Sequence, residues 1–218
     1  MEATTAIKLI ADFKGTSLQL RLNEIQSHLI GKSQVSDFNQ SELFGAALTV
    51  KNISAQIDEI VHAAGILNSL PLILHENEKI QGISLAAGTG KERFDLITDY
   101  RVAEFKFSHW KKSNGIRGKR VFADYVNLLL DTSERKKELY VVSFTQVNNF
   151  FQSEAEWKKI LSKSDRLAIK LQEYLLVNKL KAETVNDIFK LGEAEIEIFD
   201  INKIMTKYQS SSTEVIKS

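Results

Sequence analysis

Apolar side chains recur at three- and four-residue spacing through most of this chain, which predicts several helices and a few short strands. Residues 1–40 read as mostly helical, with Ile7, Ile10 and Phe13, then Leu22, Ile25 and Leu29, as the apolar stripe. Leu18, Leu20 and Leu22 alternate, so a short strand competes there. Ser41 opens a helical pattern reaching about Ala64 through Phe44, Leu48, Ile53, Ile57, Ile60 and Val61. Gly65 is the expected terminator, and Pro71, the only proline, is expected to break the segment that follows. Glu76 to Lys79 reads as a turn, and residues 79–88 as a strand entering a Gly-Thr-Gly loop.

Two strands come next, about 93–98 and 101–108, joined at Asp99-Tyr100. A basic loop leads to a helix over roughly 116–131 whose buried face is Val121, Phe122, Tyr125, Leu128 and Leu129. Residues 138–145 read as a buried strand. A long amphipathic helix follows, with Trp157, Ile160, Leu161, Leu167, Leu171, Tyr174 and Leu175 on one face, and 194–201 is the expected last strand. This order predicts a single α/β domain over 1–208, a mixed central sheet flanked by helices, and a mobile tail at 209–218. Within it, 1–40 is a helical N-terminal segment, 41–145 the core, and 146–208 a C-terminal helix and strand.

Composition narrows the classes. The 218 residues, 43% hydrophobic and 26% charged, suit one substantial core. No run of about 18 apolar residues exists, so no membrane span is expected. The N-terminus lacks a basic start followed by an apolar stretch, and there is no cysteine; both fit a cytoplasmic protein. The four histidines are scattered, without HxxxH or HExxH spacing, which argues against zinc. Net charge is only +1, yet Arg101 to Arg120 holds Arg101, Lys106, Lys111, Lys112, Arg117, Lys119 and Arg120 against the single acid Glu104. Lys111, Lys112, Arg117, Lys119 and Arg120 lie at the start of a helix, where cations oppose the helix dipole and a bound phosphate reverses the sign. They are the candidate nucleic-acid contacts.

The stretch FDLITDYRVAEFKF, residues 94–107, carries the sharper signal. Strand alternation puts Glu104 and Lys106 on one face and Ala103, Phe105 and Phe107 on the other. A turn centred on Asp99-Tyr100 places Asp95 opposite Glu104, with β-carbons about 4.5–5.5 Å apart, where like charges are destabilising. By that argument, neutralising Asp95 without a cation should leave the fold as stable or slightly more so. A bridging divalent cation makes the same pair favourable, since hard oxygen ligands suit magnesium. Asp-Tyr is not a favoured hairpin turn, and a one-residue slip would separate the carboxylates. The bland alternative is a solvated amphipathic strand with a same-face ion pair.

Asp95, an eight-residue gap, and Glu104-Phe105-Lys106 together resemble the PD-(D/E)XK nuclease superfamily, whose fold is restriction-endonuclease-like. The resemblance covers about residues 41–145, with Phe94 where the family's name has proline. It implies that Asp95 and Glu104 bind Mg²⁺, or Mn²⁺ in its place, with the Phe105 carbonyl completing the shell. It further implies that Lys106 orients or activates the attacking water and that Glu42, on a preceding helix, assists through a bound water. The expected function is therefore Mg²⁺-dependent hydrolysis of phosphodiester bonds, with DNA as partner. Open alternatives are a catalytically silent nucleic-acid-binding or partner-binding module, a homodimer, and a small subunit of a larger protein. Residues 86–92 (AAGTGKE) resemble the end of a P-loop but lack its first glycine and its Ser or Thr, so nucleotide binding is not expected. Trp110 is expected in the core rather than on a base.

Overall fold

The computed structural model describes residues 1–29, 41–54, 57–85, 93–110 and 115–206. The chain divides into two units, Met1–Ile60 and Val61–Ser218. The first holds α1 (Ala3–Lys14), α2 (Leu18–Leu29) and α3 (Ser41–Ser54), and α1 packs on α3. The buried residues of α1 and α3 are alanines, Ala6 and Ala46. The alternation of Leu18, Leu20 and Leu22 does not make a strand. All three are exposed on a helix, and a lone strand with no sheet to join is unstable.

Within the pattern expected from Ser41 to Ala64, α3 spans Ser41–Ser54 and α4 spans Ile57–Ile73, and residues 55–56 lie outside the described residues. Gly65 does not terminate it. Gly65 sits inside α4 because a β-carbon there would lie 2.5 Å from Cζ of Phe107. Pro71 does mark the end, since α4 continues only to Ile73. A turn at Glu76-Asn77 follows, with Asn77 at φ 71.

The second unit is built on a five-stranded mixed sheet in chain order: β1 (Ile80–Ile83), β2 (Leu96–Thr98), β3 (Arg101–Lys106), β4 (Lys136–Val141) and β5 (Ile196–Asp200). β1, β2 and β3 pair antiparallel, whereas β3, β4 and β5 pair parallel. Parallel strands need crossovers, supplied by α5 (Gly115–Leu129) and then by α6 (Phe144–Phe151), α7 (Trp157–Ile160), α8 (Asp165–Val177) and α9 (Val185–Gly192). The predicted face of α5 is buried throughout. Ser143 precedes α6, so β4 lies earlier than 138–145, with Lys137 paired to Glu195 at 2.9 Å.

The long amphipathic helix expected over Trp157 to Leu175 is instead two helices, α7 and α8, separated at residues 161–164. Ahead of α7, Trp157 N–H donates to Glu183 O and Val185 N–H to Ala155 O, around an antiparallel bridge between Glu156 and Thr184. α9 opens on a capping box between Thr184 and Asp187. Trp157, Leu161, Leu171 and Leu175 remain buried, and Trp110 packs half-buried against this core, edge-on to Phe150. The expected mobile tail lies outside the described residues.

Two apolar layers cover the sheet. Val102, Leu139 and Val141 face α5 to α9, while Ala103, Phe105 and Tyr140 face Ile66 and Ile73 of α4. On that second face Phe105, Tyr140 and Phe199 stack across β3, β4 and β5 with centroids 4.8 and 5.0 Å apart.

The two-residue connection at Asp99-Tyr100 is real, and neither residue has positive φ. Local side chains replace the usual turn glycine. Thr98 Oγ1 accepts from Tyr100 N–H (3.0 Å) and Arg101 N–H (2.8 Å), and Asp99 exchanges hydrogen bonds with the Lys79 backbone. Arg101 then donates twice to Glu78, at 2.8 Å each, and once to Glu138 at 2.7 Å. Burial would raise the Glu78 carboxyl, but hydrogen bonds from Arg101, the His75 backbone and Thr98 overcome it and hold its pKa at about 2.

Two measurements check this packing and this ion network. Gly65→Ala gains helix propensity of about 1 kcal/mol but forces the Phe107 ring to move, at a cost of about 1–3 kcal/mol. The net expectation is a lower melting temperature; a rise would show that the ring has room. Glu78 has a depressed pKa, so its contribution is complete above the usual 4.5 and lost as pH falls toward about 2. Wild type should lose up to about 3 kcal/mol across that window, at 1.36 kcal/mol per unit. Glu78→Gln should lack that acid limb and be less stable at neutral pH, because Arg101 stays buried without its forked partner. Urea melts at several pH values read both effects.

Candidate functional site

β2 and β3 pair with Leu96 opposite Ala103 and Ile97 opposite Val102. One step beyond β2, Asp95 falls beside Glu104. The sheet face shared by Glu104 and Lys106 is the one covered by α5, and there the structure gathers a cluster of charges. Lys106 Nζ lies 3.1 Å from Asp124 Oδ2, 3.6 Å from Glu104 Oε2 and 4.0 Å from Asp95 Oδ2. Asp124 comes from α5. A fourth element contributes His62 of α4, whose Nε2 is 3.3 Å from Asp95 Oδ1. The Phe105 N–H donates to Asp95 Oδ2 at 2.9 Å. Each of these side chains is at most 24% exposed, so water screens the cluster weakly.

Three carboxylates face one ammonium, and their environments separate them. Burial alone would raise Asp95, but the hydrogen bond with His62, the Lys106 charge and the Phe105 N–H together hold it below the usual carboxylate value. Burial pushes Glu104 well above its usual value, and the charges of Asp124 and Asp95 add to that against the pull of Lys106. Asp124 is also raised, by burial first, with Lys106 opposing. Burial would lower Lys106, but Asp124, Glu104 and Asp95 outweigh it and keep the ammonium charged. Asp124 Oδ2 is buried, and its close partner is the Lys106 ammonium at 3.1 Å.

The cluster can therefore accept positive charge. Its donors on the sheet are hard carboxylate oxygens, the type that suits Mg²⁺ or Mn²⁺. Among the described residues no three His, Asp or Glu side chains form a ready-made ligand set, so a cation here would rest on Asp95 and Glu104 with backbone or water oxygens.

The other expected residues are distributed differently. Glu42, exposed in the first turn of α3, belongs to the first unit, and the helical residue that contacts Asp95 is His62. The basic run is not one surface. Arg101 is buried among Glu78, Glu138 and Tyr140, and Lys106 belongs to the acidic cluster. Arg117 and Lys119 are half-buried and Arg120 is exposed, all near the start of α5, whose first turn carries no acid. The Arg117 guanidinium donates to the His109 carbonyl. Lys111, Lys112 and the stretch 86–92 lie outside the described residues.

Comparison with family models, curated proteins and solved structures finds no match to this chain. Among the described residues no helix is long and apolar enough to cross a membrane.

His62 and Asp124 escaped the motif, yet each carries a sequence signal. Asp124 falls three residues after Val121 and four before Leu128, inside the apolar stripe of α5. His62 falls four residues before Ile66 on the sheet-facing stripe of α4. A polar titratable residue within a buried stripe needs a partner, and here the partners are Lys106 and Asp95.

The protonation asymmetry gives Asp95 and Glu104 opposite expected signs. The depressed pKa of Asp95 contributes stability above about its usual 3.8, so Asp95→Asn should lower the melting temperature of the metal-free protein at neutral pH. Glu104 has the opposite sign: its contribution is present below the usual 4.5 and lost as pH rises through its raised value. Glu104→Gln should therefore stabilise the metal-free protein at neutral pH, by on the order of 1 kcal/mol, the scale for opposed like charges. Calorimetry in a chelator at pH 4 and pH 8 checks both, and equal effects of the two variants would refute the asymmetry.

Proposed function

We propose that this chain is a divalent-cation-dependent nuclease of the PD-(D/E)XK type that hydrolyses phosphodiester bonds, with DNA as substrate. The observation that carries the reading is the convergence of Asp95, Glu104 and Lys106 on one sheet face, with both carboxylates within 4.0 Å of the lysine Nζ. The arrangement suits the chemistry part by part. Asp95 and Glu104 would hold Mg²⁺, or Mn²⁺ in its place, with the Phe105 carbonyl as the third oxygen. Bound there, the ion would lower the pKa of a water and offset charge on the phosphoryl oxygens. His62 and the Phe105 N–H each occupy one Asp95 oxygen, which fixes the carboxylate while leaving a lone pair on each. Lys106 remains an ammonium, so it donates N–H bonds to the attacking water or to a phosphate oxygen and does not remove a proton. Arg117, Lys119 and Arg120, with Lys111 and Lys112, would grip the backbone ahead of the scissile phosphate without reading bases.

One observation favours a second reading. Lys106 already neutralises part of the charge a cation would meet, as it would in a silent nucleic-acid-binding or partner-binding module that uses the cluster as an ion-pair network. Incubating the full chain with supercoiled plasmid, single-stranded circular DNA and structured RNA separates the two. The nuclease reading expects cleavage with Mg²⁺ or Mn²⁺, none in chelator, and a loss of at least about 100-fold in Lys106→Ala and Asp95→Asn, typical of transition-state charge stabilisation. Mg²⁺ should also raise the melting temperature of wild type more than that of Asp95→Asn. No cleavage of any substrate and equal Mg²⁺ responses would leave the silent module.

A further inference from the structure

We propose that Asp124 is a positioning residue that draws the Lys106 ammonium toward α5 and so keeps Asp95 and Glu104 free to share a divalent cation. This rests on the nuclease reading above. Lys106 stands two residues from Glu104 on the same strand face, so local geometry alone would let its flexible stem fold onto the two strand-borne acids. The observed order of distances runs the other way. The closest carboxylate is Asp124 at 3.1 Å, from a different element, while Glu104 and Asp95 stand at 3.6 and 4.0 Å.

Attraction between charges falls as the inverse of their separation, so in this cluster the helix-borne acid is the strongest single pull on the ammonium. Asp124 is suited to hold it, because its side chain is only 19% exposed and its Oδ2 is the nearest of the three carboxylate oxygens to the ammonium. Without Asp124, the anions of this cluster left to Lys106 are Glu104 and Asp95. The ammonium would then settle between them, in the space a cation requires, and compete with it. The same helix carries Arg117, Lys119 and Arg120 in its first turns, so the element that would meet phosphate also sets the position of the lysine.

Mn²⁺ binding by the full-length protein, measured calorimetrically, separates an anchor from a ligand. Asp124→Asn should weaken Mn²⁺ binding by about 10-fold or more, the scale for loss of a residue that orients a metal site from outside its shell. The double variant Lys106→Met/Asp124→Asn should bind Mn²⁺ as Lys106→Met does, because no lysine remains to be held away. If the double variant binds as weakly as Asp124→Asn, Asp124 is a ligand and the proposal falls; it falls equally if Asp124→Asn binds like wild type. Should Asp124→Asn alone prove unstable, the comparison of Lys106→Met with the double variant decides: equal binding supports the anchor, weaker binding refutes it. If wild type binds no Mn²⁺, the nuclease reading fails by itself. The crystal structure of Asp124→Asn then decides the anchor: Lys106 Nζ moved onto Glu104 or Asp95 supports it, and an unmoved Nζ overturns it.

Discussion

Arg101 is the fixed point of the second unit. Its guanidinium is buried, forked onto Glu78 and bonded to Glu138, and Tyr140 and Thr98 complete the hydrogen bonding of those acids. A one-residue slip of β3 would carry Arg101 to the opposite face and leave charges buried without partners, a loss of several kcal/mol. The register of β2 on β3 is therefore set at the turn end of the ribbon. That register is also what brings Asp95 beside Glu104 at the other end.

The two ends of β3 thus hold ion clusters of different character. Around Arg101 the polar groups are paired with good geometry, and the Glu78 carboxyl is held at about 2. Such a network specifies structure and has little left to offer a ligand. Around Lys106 three carboxylates share one ammonium, and two of them are pushed up. The cluster around Lys106 thus holds more carboxylate than cation, whereas the guanidinium of Arg101 is matched by forked and bonded partners.

α4 and α5 reach this site from opposite faces of the sheet. Ile66 and Ile73 seat α4 on the face of Phe105 and Tyr140, and the close approach of Gly65 to Phe107 sets its depth there. Val121, Phe122 and Tyr125 seat α5 on the other face. His62 and Asp124 are delivered to the end of β3 by these packings. Their roles depend on core residues that carry no charge.

The ribbon was legible in the sequence because its signals are local. Strand alternation assigned the faces of Glu104 and Lys106, two-residue spacing set the turn, and the three- and four-residue stripe defined α5. Features that depend on distant partners were not legible. Gly65 reads as a terminator until Phe107 packs against it, and the start of α7 is tied at residues 155–157 to residues 183–185, well along the chain. Arg101 reads as part of a basic run until Glu78 and Glu138 enclose it. The sequence by itself determined which side chains share a strand or helix face, since backbone geometry imposes that within a few residues. Only the tertiary structure decided that His62 and Asp124 complete the cluster and that Asp95 is the carboxyl held below its usual range. Those outcomes depend on how elements far apart in the chain dock and how much water their docking excludes.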